Sequence, residues 1–506
     1  MTTKGLSHPG FRAPWLASPL RKGLLCSFAV AGFALLPGLS GCDDEPESGE
    51  PPVDPRGVCP SDWRAYPYQP AGSDILFPRD EGAHYPSDTE VTMEWWYTIY
   101  HLVTPEGRHF SIMSTFFMPQ LDIAFRPFNI TDVATGQMWD TSEWGSLGAS
   151  EEHLDLHWTG ENPAEPPSVF FTRRYSSGEL VPFGYTQRLY YSDPQNPSRS
   201  QSLLLTVDSV KSPYIVGEDG YVSIGEAGDS YYYSLTELHV SGELELNGEV
   251  FAVSGKGWLD HQWGPFMLSP LVISPITYEW MALHLDNGDQ YMVSTLFDRE
   301  NRSRATEGFG SIGWKKADCT QGITLDHTIE RLAYWQHPDS GRYYSHRWRI
   351  LEPVTGLDVI LEPVIEDQTV AFFHTHFYEG RSTITGTVGG VAVTGLAFAE
   401  LVHHYQVPEV QILSPVEGAS VDPGASLEVA WNVINPDDGL PLAFTVSAED
   451  ASSLEPVCGV EIGAAVNDRC SGSLSGLSGP ATLRVRAASL DGVISGEGSV
   501  VVQISP

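Results

Sequence analysis

The feature that most restricts the fold is an internal repeat. Glu94-Trp95, His101-Leu102, Gly107, Ser114-Thr115 and Phe116 recur in order as Glu279-Trp280, His284-Leu285, Gly288, Ser294-Thr295 and Phe297. The closing segments echo as well. In GEVFAVSGKGWLDHQW, Gly255 stands five residues before Asp260 and eight before Trp263; in GGVAVTGLAFAELVHHY, Gly395 stands five before Glu400 and eight before His403. Each copy therefore opens with a Glu-Trp segment and closes with a Gly-x4-acid segment, which means one structural unit used twice.

The units are made of strands. MEWWYTIYHL, HFSIMSTFF, YYYSLTELHV, EVFAVSGKGW, YMVSTLFD and TVAFFHTHFY are short, rich in aromatic and β-branched residues, and separated by Gly, Pro, Asn and Asp turns. Long helical periodicity is absent, so the expectation is an all-β chain with two β-barrel or sandwich halves, 85–265 and 266–406. The first half carries a long insertion between its landmarks, and the link PFMLSPLVISPIT is placed between the halves. From Val407 the composition shifts: lysine disappears, aromatics thin out, and short alternating strands with acidic turns run to the end. This segment, 407–506, resembles the immunoglobulin-like or fibronectin-like sandwiches appended to bacterial surface proteins, and no chemistry is assigned to it.

The N-terminus reads as a targeting segment. Arg21-Lys22 precede the apolar run LLCSFAVAGFALL, too short for an ordinary span, and Leu39-Ser40-Gly41-Cys42 resembles a bacterial lipobox. Residues 1–41 are thus expected to be a lipoprotein signal peptide, Cys42 the lipidated residue, and 42–84 a polar tether and lead-in. The protein is then exported and membrane-anchored in the cell envelope, in the inner or the outer membrane. Of the remaining cysteines, Cys458 and Cys470 could close a short loop, and Cys59 could pair with Cys319. The charge balance is acidic, 28 Lys+Arg against 65 Asp+Glu, which repels phosphate backbones and argues against nucleic acid as a partner.

Residues 255–264, GKGWLDHQWG, concentrate polar and indole side chains. On a strand, Leu259, His261 and Trp263 share one face and Trp258, Asp260 and Gln262 the other. The first face is apolar up to His261, so His261 is expected inside a barrel, with Asp260 and Gln262 facing outward unless a glycine bulge flips the register. In MEWWYTIYHL, Glu94 and Trp96 share a face, with Trp95, Tyr97 and His101 opposite; whichever face turns inward, a titratable group accompanies aromatics. A carboxyl among indoles has its pKa raised by desolvation and can remain a proton donor near neutrality. Indole faces can steady a developing carbocation.

HYPSDTEVTMEWWYTIYHLVTPEGRHFSIMSTFF, GKGWLDHQWG, TYEWMALHLDNGDQYM and HFYEGRSTITGTVGGVAVTGLAFAEL resemble the carotenoid 1,2-hydratase (hydroxyneurosporene synthase) family with its AttH-type members. The resemblance spans about 85–406 and implies two lipocalin-like β-barrels around an apolar pocket. It also implies addition of water to a terminal C=C of an acyclic polyprenoid without a cofactor, or cyclisation of a polyene on the same scaffold. Carried onto this chain, the candidate catalytic residues are Asp260, His261, Glu94 and Glu279. His261 is expected to position or deprotonate water; the proton donor is Asp260 by the resemblance, or Glu94 or Glu279 by strand alternation. Trp95, Trp96, Tyr97, Trp263, Tyr278 and Trp280 are the candidate ligand-binding residues.

The expected partner is an apolar isoprenoid, polyene or lipid, and the competing reading is a non-catalytic carrier of the same kind of ligand. Histidines at 374 and 376, and His403-His404, raise metal-dependent hydrolysis as a third reading, but no third ligand is identifiable and no metal is assigned. Serine-hydrolase chemistry has no support, since no GxSxG turn stands between a strand and a helix.

Overall fold

The computed structural model of the chain describes residue 59 and residues 61–505, apart from 121–123, 161, 163–164, 192–199, 267–275, 307, 373–374, 452 and 460–466. The segment with Cys42, most of the PFMLSPLVISPIT link and His374 therefore lie outside the described residues. Among the described residues there is no α-helix; strands and a few short 3-10 turns make an all-β fold.

The first half comprises Met93–Val103 (β1), His109–Pro119 (β2), Ala124–Asp132 (β3), Gln137–Ala149 (β4), Asp155–Gly160 (β5), Ser168–Arg174 (β6), Leu180–Tyr191 (β7) and Gln201–Ser209 (β8). Tyr214–Ile215 (β9), Tyr221–Ser223 (β10), Asp229–Leu246 (β11) and Glu249–Gly264 (β12) complete it. Neighbours pair from β1 through β8, β12 pairs with β1, and β11 pairs with both β12 and β8, so ten strands close into a barrel with no free edge.

The second half comprises Thr277–Leu285 (β13), Gln290–Phe297 (β14), Ser303–Arg304 (β15), Ile312–Lys315 (β16), Gln321–Thr324 (β17) and Thr328–Gln336 (β18). Tyr343–Glu352 (β19), Leu357–Pro363 (β20), Thr369–Phe372 (β21), Thr375–Val388 (β22) and Val391–Leu401 (β23) follow. Its main path runs β17-β16-β14-β13-β23-β22-β20-β19-β18. Ile312 from near one end and Trp348 and Ile350 from near the other meet in one core, so the sheet curls round itself, although no pairing closes it among the described residues. Beyond it, strands from Val410 to Ile504 form a three-stranded and a five-stranded sheet around Trp431, Phe444, Leu483 and Val485. This sandwich meets the second half where Leu440 and Ile494 pack on Tyr334 and Tyr405. Cys59 is disulfide-bonded to Cys319 and Cys458 to Cys470.

Strand alternation sorts the apolar residues into three layers. On β1, Trp96, Tyr100 and Leu102 point into the barrel, while Tyr97 and Ile99 point out of it. On β13, Met281, Leu283 and Leu285 serve the second core, while Trp280 and Ala282 join Tyr97, Ile99 and Trp258 in a shared middle layer. The strands β1, β12, β13 and β23 are consequently buried on both faces, which is why they read as near-continuous aromatic runs. The outward orientation expected for Asp260 and Gln262 needs correcting in one respect. Both leave the barrel interior, yet they are only 3% and 2% exposed, because the second half covers that face.

The barrel interior is filled. Trp63, Ile75 and Phe77 from the segment ahead of β1 belong to its core, and Phe77 and Trp63 pack on Phe183. The same segment supplies a buried ion network. Glu94 Oε1 lies 2.8 Å from His84 Nδ1 and 2.9 Å from His261 Nε2; the His84 amide donates to Glu94 Oε2 at 3.0 Å. His261 Nδ1 lies 3.0 Å from the Asp80 carbonyl, and His84 and His261 stack on Trp263 and Trp96. Residues around 63–84 thus form a stopper held to the barrel wall by Glu94.

Burial alone would raise the Glu94 pKa, but the hydrogen bonds and charges of His261 and His84 pull it down to about 2. A depressed carboxyl pKa stabilises the fold above the ordinary glutamate range, and that contribution is lost as pH falls toward 2. Glu94→Gln is expected to lower stability at pH 7 by roughly 3–5 kcal/mol, the cost of breaking a buried ionic network. It should also flatten the acid-side loss seen in the wild type. Urea unfolding of both proteins at pH 7 and pH 4 checks this; equal midpoints at pH 7 would remove Glu94 as the anchor.

Candidate functional site

The middle layer contains a cavity of about 40 Å³, bounded by Trp95, Tyr97, Tyr232, Asp260, Tyr278, Trp280 and Glu400, with Phe117, Gln262 and Phe309 around them. That is room for a few waters or the tip of a hydrocarbon. The two copies of the repeat contribute alike. By strand register Tyr97 and Trp280 are equivalent, each four residues before the repeated histidine and opposite the acid, and Asp260 and Glu400 are equivalent residues of the Gly-x4-acid segments. In each half the acid-bearing strand pairs with the indole-bearing one: Tyr97 stands opposite Asp260 on β1–β12, and Trp280 opposite Glu400 on β13–β23.

Asp260 is held by three donors. Ser234 Oγ and Trp258 Nε1 donate to Oδ1 at 2.5 and 2.6 Å, and Tyr232 OH donates to Oδ2 at 2.7 Å. Burial dominates over these bonds and pushes its pKa up to about 7. Tyr278 OH donates to Glu400 Oε1 at 2.6 Å and Tyr97 OH to Glu379 Oε2 at 2.9 Å. Glu379 and Glu400 face each other in register across β22–β23. Burial raises both, Glu400 to about 7, and each carboxylate opposes ionisation of its neighbour; the charge on Asp260 adds to the effect on Glu400. Two acids therefore line one small cavity and a third stands behind Tyr97, an arrangement in which proton donors and acceptors coexist at neutral pH.

The residues singled out in the sequence divide among three places. Trp95, Tyr97, Asp260, Tyr278 and Trp280 line the cavity. Glu94, Trp96, His261 and Trp263 lie inside the barrel, in or against the stopper network. Glu279 lies inside the second half, where Arg331 donates to its Oε2 from Nε at 3.0 Å and Ser345 and Tyr405 bond Oε1. His261, Glu94 and Glu279, expected as catalytic residues, do not border this cavity. The reason is the two-sided burial of their strands, which sends alternate residues to different cores. Glu379 and Glu400 were missing from the sequence-based set. The signal for Glu400 was present, since the repeat aligns it with Asp260; Glu379 has no counterpart signal, as the corresponding strand of the first half, β11, carries Ser234 opposite Asp260.

For a metal, His84, Glu94 and His261 each offer a ligand atom within 4.8 Å of the others. These atoms bond one another, and the group serves as the stopper's anchor. His403 is bonded to Thr277 Oγ1 at 2.8 Å and to Asp437 Oδ2 at 3.2 Å, and stacks on Phe297, so it forms part of the packing between the second half and the sandwich.

Residues 187–405 match the family model described as AttH-like, a stretch that takes in Asp260, Tyr278, Trp280, Glu379 and Glu400. A search of curated proteins finds no sequence match. Among solved structures, an AttH protein of Nitrosomonas europaea superposes with a TM-score of 0.53 at 22% identity, over 68% of this chain and 100% of that one, which shows a shared fold. Kievitone hydratase of Nectria haematococca has a TM-score of 0.49 at 16% identity, over 67% of this chain and 98% of its own.

Proposed function

We propose that the cavity between the two halves binds the unsaturated end of an apolar isoprenoid or polyene and hydrates or cyclises it by acid–base chemistry. The observation that carries this reading is the placement of Asp260 and Glu400, two carboxyls raised to about 7, beside Trp95, Trp280 and three tyrosine rings. Burial and the charge of Glu400 raise Glu379 well above the ordinary range, so the pair keeps a proton, and Glu400, its member bordering the cavity, is assigned as the donor. Asp260 accepts three hydrogen bonds that favour its charged form, and it is the base.

In hydration, the Glu400 proton goes to one alkene carbon while the π pair forms the new C–H bond. The cation left on the other carbon faces indole and phenol rings, an attraction worth about 2 kcal/mol when desolvated. Water then supplies its oxygen lone pair to that carbon and loses a proton to Asp260. Proton exchange between the carboxyls and solvent resets the site. In cyclisation a second double bond replaces water as the nucleophile, and Asp260 removes the proton that restores neutrality.

Glu400→Gln and Asp260→Asn are each expected to lower turnover of an acyclic polyprenoid by roughly 10²–10⁴, the usual worth of a general acid or base. His261→Ala should lose stability and keep its activity per folded molecule. Mass spectrometry of the product, one water heavier than the substrate or isomeric with it, checks these outcomes. Saturable binding with no product from the wild type would make the chain a carrier of such ligands instead.

The raised carboxyls also set a pH dependence. An acid whose folded pKa lies above its unfolded value stabilises the fold below the unfolded pKa and loses that contribution as pH rises through the folded one. Stability owed to Asp260 should thus decline between about pH 4 and pH 7. Asp260→Asn should remove that part of the slope in a thermal-melt series across the range.

The same reading makes the chain an envelope lipoprotein. It rests on Leu39-Ser40-Gly41-Cys42, and two cystines suit an oxidising compartment. Cys42→Ala should abolish incorporation of labelled palmitate and release the protein from membranes; unchanged labelling would refute the anchor.

A further inference from the structure

The repeat has a second pair of equivalent residues that acid–base chemistry leaves unused. His101 follows Tyr97 by four positions on β1, and His284 follows Trp280 by four on β13, so both stand about 13 Å along the strands from the carboxyls. Their rings meet edge to face, with centroids 5.8 Å apart. They line a separate cleft of about 260 Å³ together with Arg381, Lys256 and His109.

The polar atoms of this cleft want an acceptor. His101 is 4% exposed, and neither of its ring nitrogens has a hydrogen-bond partner. His284 Nε2 lies 3.2 Å from the Gly257 carbonyl, but its Nδ1 is buried without a partner. Arg381 is also 4% exposed; Nη1 donates to the Phe110 carbonyl at 3.2 Å, Nε is unpartnered, and no carboxylate among the described residues forms an ion pair with it. Lys256 and His109 stand nearer solvent, Lys256 paired with Glu237 at 3.1 Å. The acid bordering the cleft, Asp286, accepts from Thr394 at 2.8 Å.

Buried guanidinium and imidazole groups without acceptors are costly, and native interiors almost always satisfy them. Here they gather in one place in a chain whose formal charge is −37. Burial and mutual repulsion hold His101 well below its ordinary pKa, and burial alone lowers Arg381 to about 10, as expected of cations lacking a counter-ion. The walls carry Val103 and Leu396, surfaces suited to hydrocarbon. Gly255 and Gly395 keep the backbones close: a Cβ there would meet the His101 or His284 carbonyl oxygen at 2.0 or 2.3 Å.

We propose that this cleft is an oxyanion site, taking the carboxylate or phosphate group of a small amphiphilic molecule on Arg381, His101 and His284. The site is independent of the carboxyl-lined cavity. The anion accepts from Arg381 Nε and from the imidazoles, and the aliphatic part lies along Val103 and Leu396.

Isothermal titration calorimetry of the full chain with sodium octanoate and, separately, with inorganic phosphate tests this. Saturable binding of at least one probe is expected; preference for octanoate identifies a carboxylate amphiphile, and preference for phosphate a phosphate group. Arg381→Gln should weaken that binding by roughly tenfold or more, the worth of one charge-assisted hydrogen bond. Histidine-selective NMR of the wild type should show the His101 and His284 ring signals moving with probe concentration, a readout that stands even if Arg381→Gln fails to fold. His109→Gln, at an exposed position, should weaken binding by a smaller factor. Absence of saturable binding at millimolar concentrations, unmoved histidine signals, or a folded Arg381→Gln variant with wild-type affinity would overturn the proposal.

Discussion

Burying a strand on both faces is the constraint from which the rest of this structure follows. Where β1, β12, β13 and β23 lie between three apolar layers, a side chain on them leaves water whichever way it points. A carboxyl placed on such a strand has only three outcomes. It can take a cationic partner, as Glu94 does with two histidines and Glu279 with Arg331. It can gather neutral donors, as Asp260 does, or it can face another acid and keep a proton, as Glu379 and Glu400 do. The first outcome builds stability; the other two build reactivity. One sequence motif supplies both kinds, because adjacent positions on a strand serve different layers.

The all-β class and the doubling of the unit were legible in the chain, from aromatic β-branched runs and the Glu-Trp and Gly-x4-acid landmarks. Strand alternation also separates His261 from Asp260. What it could not supply was the environment of the second face. A sequence with hydrophobic and polar residues on both faces of a strand does not say that a neighbouring sheet covers the outer one, so Asp260 and Gln262 read as solvent-facing. His261 drew attention because imidazole is chemically versatile, and its partner His84 lies in a segment with no strand signal. Glu379 escaped notice for a simpler reason: HTHFYEGRS has no repeat counterpart and no indole beside its acid.

The shared layer is polarised along its length. Equivalent residues of the two halves put carboxyls at one end and imidazoles at the other, joined by the same four strands. A duplicated unit packed back to back brings each of its residues near its own counterpart, so a single acid in the ancestral motif becomes a pair, and a single histidine likewise. Burial supplies the largest part of the shift in proton affinity in this dry setting, and the like-charged counterpart adds to it. Duplication thus creates tuned sites without any new residue type.

The stopper ahead of β1 has a consequence for the order in which the molecule can be assembled. Its seat is formed by β11, β12, β1 and the ring between them, and the ring is complete only once Gly264 has joined. The residues synthesised first therefore dock late, after about two hundred others have found their register, a demand that places the fold among slow, non-local topologies. Until then Trp63, Ile75 and Phe77 have nowhere to go. A nascent chain of this kind presents sticky aromatic side chains at its leading end for as long as the barrel stays open, and it has reason to depend on escorts that hold such segments in the meantime.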